Sequence, residues 1–130
     1  MTDEQRRLAN IAVLERYRDA WTTGDIATMF GLYADDFVLH WNGASPFAGT
    51  HRGKDAAIKA LSAFTQKTGR KLIGVTNIMA DADKAVMIAR ENLAGREVDR
   101  TLVYRTDGEK VVECWVLDAD QGYIDGLLNT

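Results

Sequence analysis

The chain has 130 residues, 46% hydrophobic and 27% charged, a size and balance that fit one folded domain and do not suggest disorder. A net charge of −3, with Arg6, Arg7, Arg16 and Arg18 interleaved among acids, argues against a nucleic-acid partner, whose phosphates call for clustered cations. The single cysteine, Cys114, cannot close an internal disulfide, and no long apolar run follows the charged start MTDEQRRLAN. Neither a secretory signal nor a membrane span is therefore expected, and a cytoplasmic location is.

Thr2-Asp3-Glu4-Gln5 fits a capping box, with Thr2 as the cap and Gln5 three residues on. Leu14, Tyr17 and Trp21 then recur at helical spacing, which predicts one long amphipathic helix stopped by Gly24. Asp25 caps a second, shorter helix carrying Ile26, Met29, Phe30 and Tyr33, and Asp35-Asp36 reads as a break. Phe37-Val38-Leu39-His40-Trp41 is rich in strand formers. The segment from Asn42 to Gly53, with three glycines and the only proline, Pro46, reads as a long loop. Lys54 to Gln66 is a third helix, its stripe Ala57, Ile58, Leu61 and Phe64, closed by Gly69.

The remainder predicts four antiparallel strands: Leu72–Ala80, Ala85–Leu93, Val98–Arg105 and Lys110–Leu117. Asp107-Gly108 is the clearest hairpin signal. Asp118 to Thr130 reads as a short helix or a tail. Helices first and a meander after them argue an α+β fold, with helices packed on one face of a curved sheet. A single domain over 1–130 is expected, its core about 5–122 and its tail 123–130.

Motifs narrow the chemistry further. His40 and His51 are the only histidines and lack ligand spacing, so no metal site is expected. No G-x-G-x-x-G, Walker or G-x-S-x-G motif is present, so nucleotide binding and serine hydrolase chemistry have no support, and no cofactor is expected.

YADDFVLHWNG, FAGTHRGKDAAIKAL and VYRTDGEKVVECWVLDADQ resemble the SnoaL-like polyketide cyclases, relatives of ketosteroid isomerase in the nuclear transport factor 2 superfamily. The resemblance implies a cone-shaped fold whose curved sheet wraps the first helix and leaves an apolar cavity open at one end. It also implies a homodimer through the outer sheet face. The ligand would be small and partly apolar or aromatic. The chemistry would be proton transfer beside a carbonyl: isomerisation, aldol-type cyclisation or dehydration, without cofactor.

Aligned on Gly24-Asp25, Tyr17 falls on the oxyanion tyrosine of ketosteroid isomerase; it is equally read as one more ring on a buried stripe. The general-base aspartate of that enzyme falls on Trp41 and its oxyanion aspartate on Thr101, so the steroid reaction is not expected. A histidine common in the family falls on Leu102. Strand alternation groups Cys114, Val116 and Asp118 on one face, which makes Asp118 the first candidate for a base, with nearby Asp120 and Asp99 beside Thr101 as competitors. His40 would be its partner if it faces the cavity, but alternation alone leaves open whether His40 or Trp41 does. Trp21, Phe37, Trp41 and Trp115 would supply ring contacts, according to which of them face inward. One of Arg90, Glu91 and Asn92 would orient the ligand, with Arg90 preferred. Two alternatives stand: a non-catalytic ligand-binding or dimerisation module, and a hydrolase like limonene epoxide hydrolase, for which Arg90 and Asp99 would be the charged groups.

Overall fold

The computed structural model describes all of residues 1–130. Helix α1 (Asp3–Thr23) starts at the predicted capping box: Thr2 accepts from the Gln5 amide, and the Gln5 side chain accepts from the Thr2 amide. It ends at Gly24, whose φ of 76° is a left-handed conformation that glycine adopts without steric cost. Asp25 caps α2 (Ile26–Gly31) by accepting from Thr28. Then come β1 (Tyr33–Trp41), β2 (Gly49–Arg52), α3 (Lys54–Thr68), β3 (Lys71–Ala80), β4 (Ala85–Leu93), β5 (Arg96–Thr106), β6 (Val111–Asp118) and α4 (Gln121–Leu128).

Six strands form one curved sheet in the order β2-β1-β6-β5-β4-β3. The last four strands are the predicted meander, and β1 joins it parallel to β6. Two elements differ from expectation, and a third settles an open alternative. Tyr33, predicted on the second helix, instead opens β1 by pairing with Val111, and the exposed Asp35-Asp36 pair sits where the β1–β6 register shifts. A register shift lets the strand continue through residues that would otherwise end it. The end of the predicted loop pairs with β1 as the edge strand β2, Gly49 opposite Trp41. The chain after Asp118 forms α4, whose Ile124 and Leu128, one helical turn apart, are buried in the core.

The core lies between the inner sheet face and helices α1 and α3. Val13, Leu14 and Tyr17 of α1 and Phe64 of α3 pack on Phe37, Leu39, Met87, Leu102 and Val116 of the sheet. Each large apolar side chain so buried contributes roughly 1.5–3 kcal/mol. Asn10 is the one buried polar side chain of α1. Its amide donates to the Asp81 carbonyl and its oxygen accepts from Thr106, which ties the helix to two strand ends. With α1 clamped at that end, the opposite end of the cone stays open between α1, α2 and α3.

Candidate active site

Strand alternation decides which side chains reach the interior. On β1, Phe37, Leu39 and Trp41 are buried on the inner face, and His40 stands on the outer one. On β6, Cys114 and Val116 face inward as predicted, and Asp118 continues that face with its carboxylate fully buried. On β5 the inward set is Val98, Arg100, Leu102 and Tyr104; on β4 it is Ala85, Met87, Ala89, Glu91 and Leu93.

These walls enclose a narrow chamber of about 30 Å³, roughly the space of one water. Tyr17, Trp41, Arg100, Tyr104, Cys114 and Val116 are among its lining, and Trp21 and Phe37 also border it. It opens into a mouth of about 420 Å³ between α1, α2, α3 and the β3–β4 edge. Tyr17, Trp21, Tyr33, Leu61 and Arg70 border both spaces, while Glu91, Phe30 and Leu72 belong to the mouth. The mouth has the volume and apolar lining of a small-molecule pocket, whereas the chamber behind it is almost filled by side chains.

One wall of the chamber carries a row of buried charge. Arg100, 2% exposed, donates from Nε to Asp118 Oδ1 at 2.8 Å and from Nη2 to Oδ2 at 3.0 Å. Its Nη1 donates to Glu91 Oε2 at 3.2 Å. Burial works against the charge of Arg100, but Asp118 and Glu91 outweigh it and hold the guanidinium above its ordinary value. Its cation also lies 4.5 Å from the Phe64 ring centre. Both oxygens of Asp118 are thus taken by one guanidinium, and Asp118 borders neither the chamber nor the mouth.

Glu91 is placed differently. It is 1% exposed and borders the mouth; Oε2 is turned to Arg100, and Oε1 has no hydrogen-bond partner. Oε1 lies on the Arg70 side, 3.8 Å from Nη1, beyond hydrogen-bonding distance. A buried carboxylate oxygen without a partner is uncommon, because desolvation is costly when nothing replaces the lost water. Across the same mouth the Tyr17 and Tyr33 hydroxyls share a hydrogen bond of 2.6 Å. Burial pushes the Tyr17 phenol up to about 12, against the opposing effect of the Tyr33 hydrogen bond, and Tyr33 is raised well above its usual value, also chiefly by burial. Both are neutral donors at physiological pH. Because one hydroxyl donates to the other, the accepting one keeps its own proton free for a ligand. Trp41 Nε1 is the second buried polar atom without a partner.

Several predicted site residues lie elsewhere. His40 is on the outer face, where Nε2 meets Glu113 Oε2 at 2.5 Å, Nδ1 meets Thr50 Oγ1 at 3.1 Å, and the ring stacks on Trp115. Burial would raise Glu113, yet its bonds to His40 and Arg105 leave it below its ordinary value. Arg90 and Asp99 pair with each other at 2.9 Å on the exposed face, and Thr101 shares that face. The reason is common to all four: each is one residue out of phase with the inward set of its strand. Cys114 reaches the chamber, but burial pushes its thiol up to about 12, so it is not a ready nucleophile. No three His, Cys, Asp or Glu side chains come together as a metal-binding group.

Arg100, Arg70 and Tyr33 were not singled out from sequence. Arg100 carried a readable signal: Val98, Leu102 and Tyr104 are the apolar phase of its strand, and an arginine in that phase requires an inward carboxylate. Glu91 likewise follows Ala85, Met87 and Ala89 in phase, which favours it over Arg90.

The sequence profile of the SnoaL-like domain family matches residues 14–114. The chain belongs to that family. No curated protein matches it in sequence. Among solved structures it is similar to a cystatin-like protein of unknown function from Xanthomonas campestris, at 24% identity and a TM-score of 0.83, over 93% of this chain and 98% of that one. Bal32a from a soil-derived mobile gene cassette is similar at 21% identity and a TM-score of 0.81, over 95% and 99%. A candidate polyketide cyclase from Xanthomonas campestris pv. campestris is similar at 12% identity and a TM-score of 0.74, over 94% and 98%. At such identities the likeness is one of fold, and the NTF2-like, cystatin-like architecture expected from the sequence is the one observed. Within this SnoaL-like domain, no helix is long and apolar enough to cross a membrane.

Proposed function

We propose that this SnoaL-like protein is a cofactor-independent enzyme that moves a proton beside the carbonyl of a small, partly apolar or aromatic molecule. Glu91 is the base, in place of Asp118. The single observation that carries the reading is Glu91 Oε1: a buried carboxylate oxygen without a hydrogen-bond partner, at the border of an apolar mouth and beside a guanidinium. With the substrate carbonyl toward Arg70 and the Tyr17–Tyr33 pair, Oε1 removes the α-proton. The C–H electron pair becomes the enolate, and the negative charge passes from Glu91 to the enolate oxygen. Net charge in the pocket is unchanged, which suits a base that is itself buried. Protonated Glu91 then returns the proton to another carbon, or the enolate carbon attacks a second carbonyl of the same molecule and protonated Glu91 gives its proton to the alkoxide so formed. Isomerisation and aldol-type cyclisation share this first step.

The test is proton exchange. Unlabelled aryl ketones and β-diketones of one or two rings are incubated with the protein in D2O, and α-deuteration is followed by NMR. Protein-dependent deuteration that Glu91→Gln abolishes, with the fold intact by circular dichroism, is the expected result. Ketone binding without exchange overturns the reading and leaves a binding module.

A second reading has one observation in its favour, the carboxylate–guanidinium–carboxylate row Asp118–Arg100–Glu91. Glu91 would there activate a water for attack on an epoxide carbon, as in limonene epoxide hydrolase. Incorporation of 18O from labelled water into a diol, in place of α-deuteration, would select it. A homodimer through the outer sheet face, carrying His40, Glu113 and Trp115, is part of the same proposal; sedimentation of the purified chain tests it.

A further inference from the structure

The gap between Arg70 and Glu91 points to what the ligand carries. The guanidinium of Arg70 is fixed from two sides: Nε donates to Thr65 Oγ1 at 2.8 Å, and the cation sits 5.3 Å from the Phe64 ring centre. Its Nη groups make no hydrogen bond within the protein, and Nη1 stands 3.8 Å from the unpartnered Glu91 Oε1. Oε1 is closed off from the mouth by its neighbours, so a ligand oxygen reaches it as the partly exposed Arg70 side chain shifts outward. One oxygen about 2.8 Å from each would then bridge them, provided it accepts from Arg70 and donates to Glu91. A hydroxyl does both. A carbonyl or an ether oxygen only accepts, and leaves the buried carboxylate oxygen without a partner.

Charge adds a second constraint. Asp118, Arg100, Glu91 and Arg70 are two anions and two cations, joined by contacts of 2.8 to 3.8 Å. A ligand carboxylate in the gap would face Glu91 with one negative charge too many, at a site with little water to screen it.

We propose that Arg70 and Glu91 form a hydroxyl-selecting site: ligands are neutral and place an alcohol, phenol or enol hydroxyl between Arg70 Nη1 and Glu91 Oε1. The rings of Trp21 and Phe30 border the apolar part of such a ligand. The inference rests on the site assigned under the proposed function, and it names the ligand chemistry of that site. For a substrate that enolises there, the bridging hydroxyl is that of the enol.

Three two-ring probes of similar size separate the possibilities in calorimetric titrations at pH 7: 2-naphthol, 2-methoxynaphthalene and 2-naphthoate. The naphthol is expected to bind at least about tenfold tighter than the methoxy compound, the usual effect of one hydrogen bond to a charged group. The naphthoate should bind more weakly than the naphthol, and Glu91→Gln should narrow that difference. In Arg70→Met, which keeps an apolar side chain against Phe64, the preference for naphthol over the ether should fall to within about threefold. This arm decides the matter if Glu91→Gln fails to fold. Equal binding of naphthol and ether to the unaltered protein, survival of the preference in Arg70→Met, or no binding by any probe overturns the inference. Hydroxyl preference without α-deuteration would sink the catalytic reading alone. Deuteration without hydroxyl preference would sink this one alone.

Discussion

Replacing Arg100 with methionine tests the buried charge row directly. The guanidinium makes two hydrogen bonds to Asp118 and one to Glu91, whose side chains are 0% and 1% exposed. Methionine fills the space of the stem but leaves both carboxylates without their cation. Removing one partner of a buried pair costs about 3–5 kcal/mol, a large share of the roughly 5–15 kcal/mol that holds a domain of this size together. The loss should depend on pH in a set direction. Stranded carboxylates bind protons more tightly in the folded variant than in the unfolded chain, so part of the stability returns as pH falls. Urea denaturation followed by circular dichroism at pH 7 and pH 5 measures both effects. The triple variant Arg100→Met, Asp118→Leu, Glu91→Leu should be more stable at pH 7 than Arg100→Met alone, because apolar groups replace the stranded charges. A loss below about 1 kcal/mol at pH 7, or a triple variant no more stable than the single one, would refute the claim that these charges hold one another in place.

Three further outcomes follow from the same geometry. Tyr17→Phe leaves the buried Tyr33 hydroxyl without its partner and should cost about 1–3 kcal/mol in urea, with a larger fractional loss of α-deuteration than of ketone affinity. Alkaline conditions should destabilise the fold. Tyr17 is raised from 10.0 to about 12, so its contribution is complete below pH 10 and is lost as pH rises toward 12, which urea midpoints at pH 8 and pH 11 would show. A Cβ at Gly43 would clash with Asp125 Oδ1, and the backbone there has φ of 106°, so Gly43→Ala should cost about 1–3 kcal/mol and loosen α4, read as faster amide exchange in residues 121–128.

Much of the fold was legible because it depends on local chemistry. Thr2 and Gln5, Gly24, Asp25 and the Asp107-Gly108 turn each act within a few residues, so their roles survive whatever the rest of the chain does. The alternation on β6 correctly grouped Cys114, Val116 and Asp118. The site was legible only in part, because each strand offers two phases and the sequence of β1 is apolar enough in both to hide which is inner. His40 was therefore as eligible as Trp41. Edge strand β2 and the burial of α4 were not legible, since both depend on partners distant in sequence: Trp41 opposite Gly49 for one, and Ala44 donating to Asp125 for the other.

The amino-acid sequence on its own determined the α+β class, the order of helices and meander, and the SnoaL-like kinship, because caps, turns and periodicity are short-range properties. Only the tertiary structure decided which carboxylate is available. Asp118 and Glu91 are both buried acids on inward phases, and nothing in their own neighbourhoods along the chain separates them. The antiparallel register of β5 with β6 sets Arg100 opposite Asp118, so both Asp118 oxygens are engaged, and β4 on the other side leaves Glu91 with one oxygen turned to Arg70 and free. Hydrogen-bond capacity is shared out by packing between strands, and that is where the sequence read along its length falls silent.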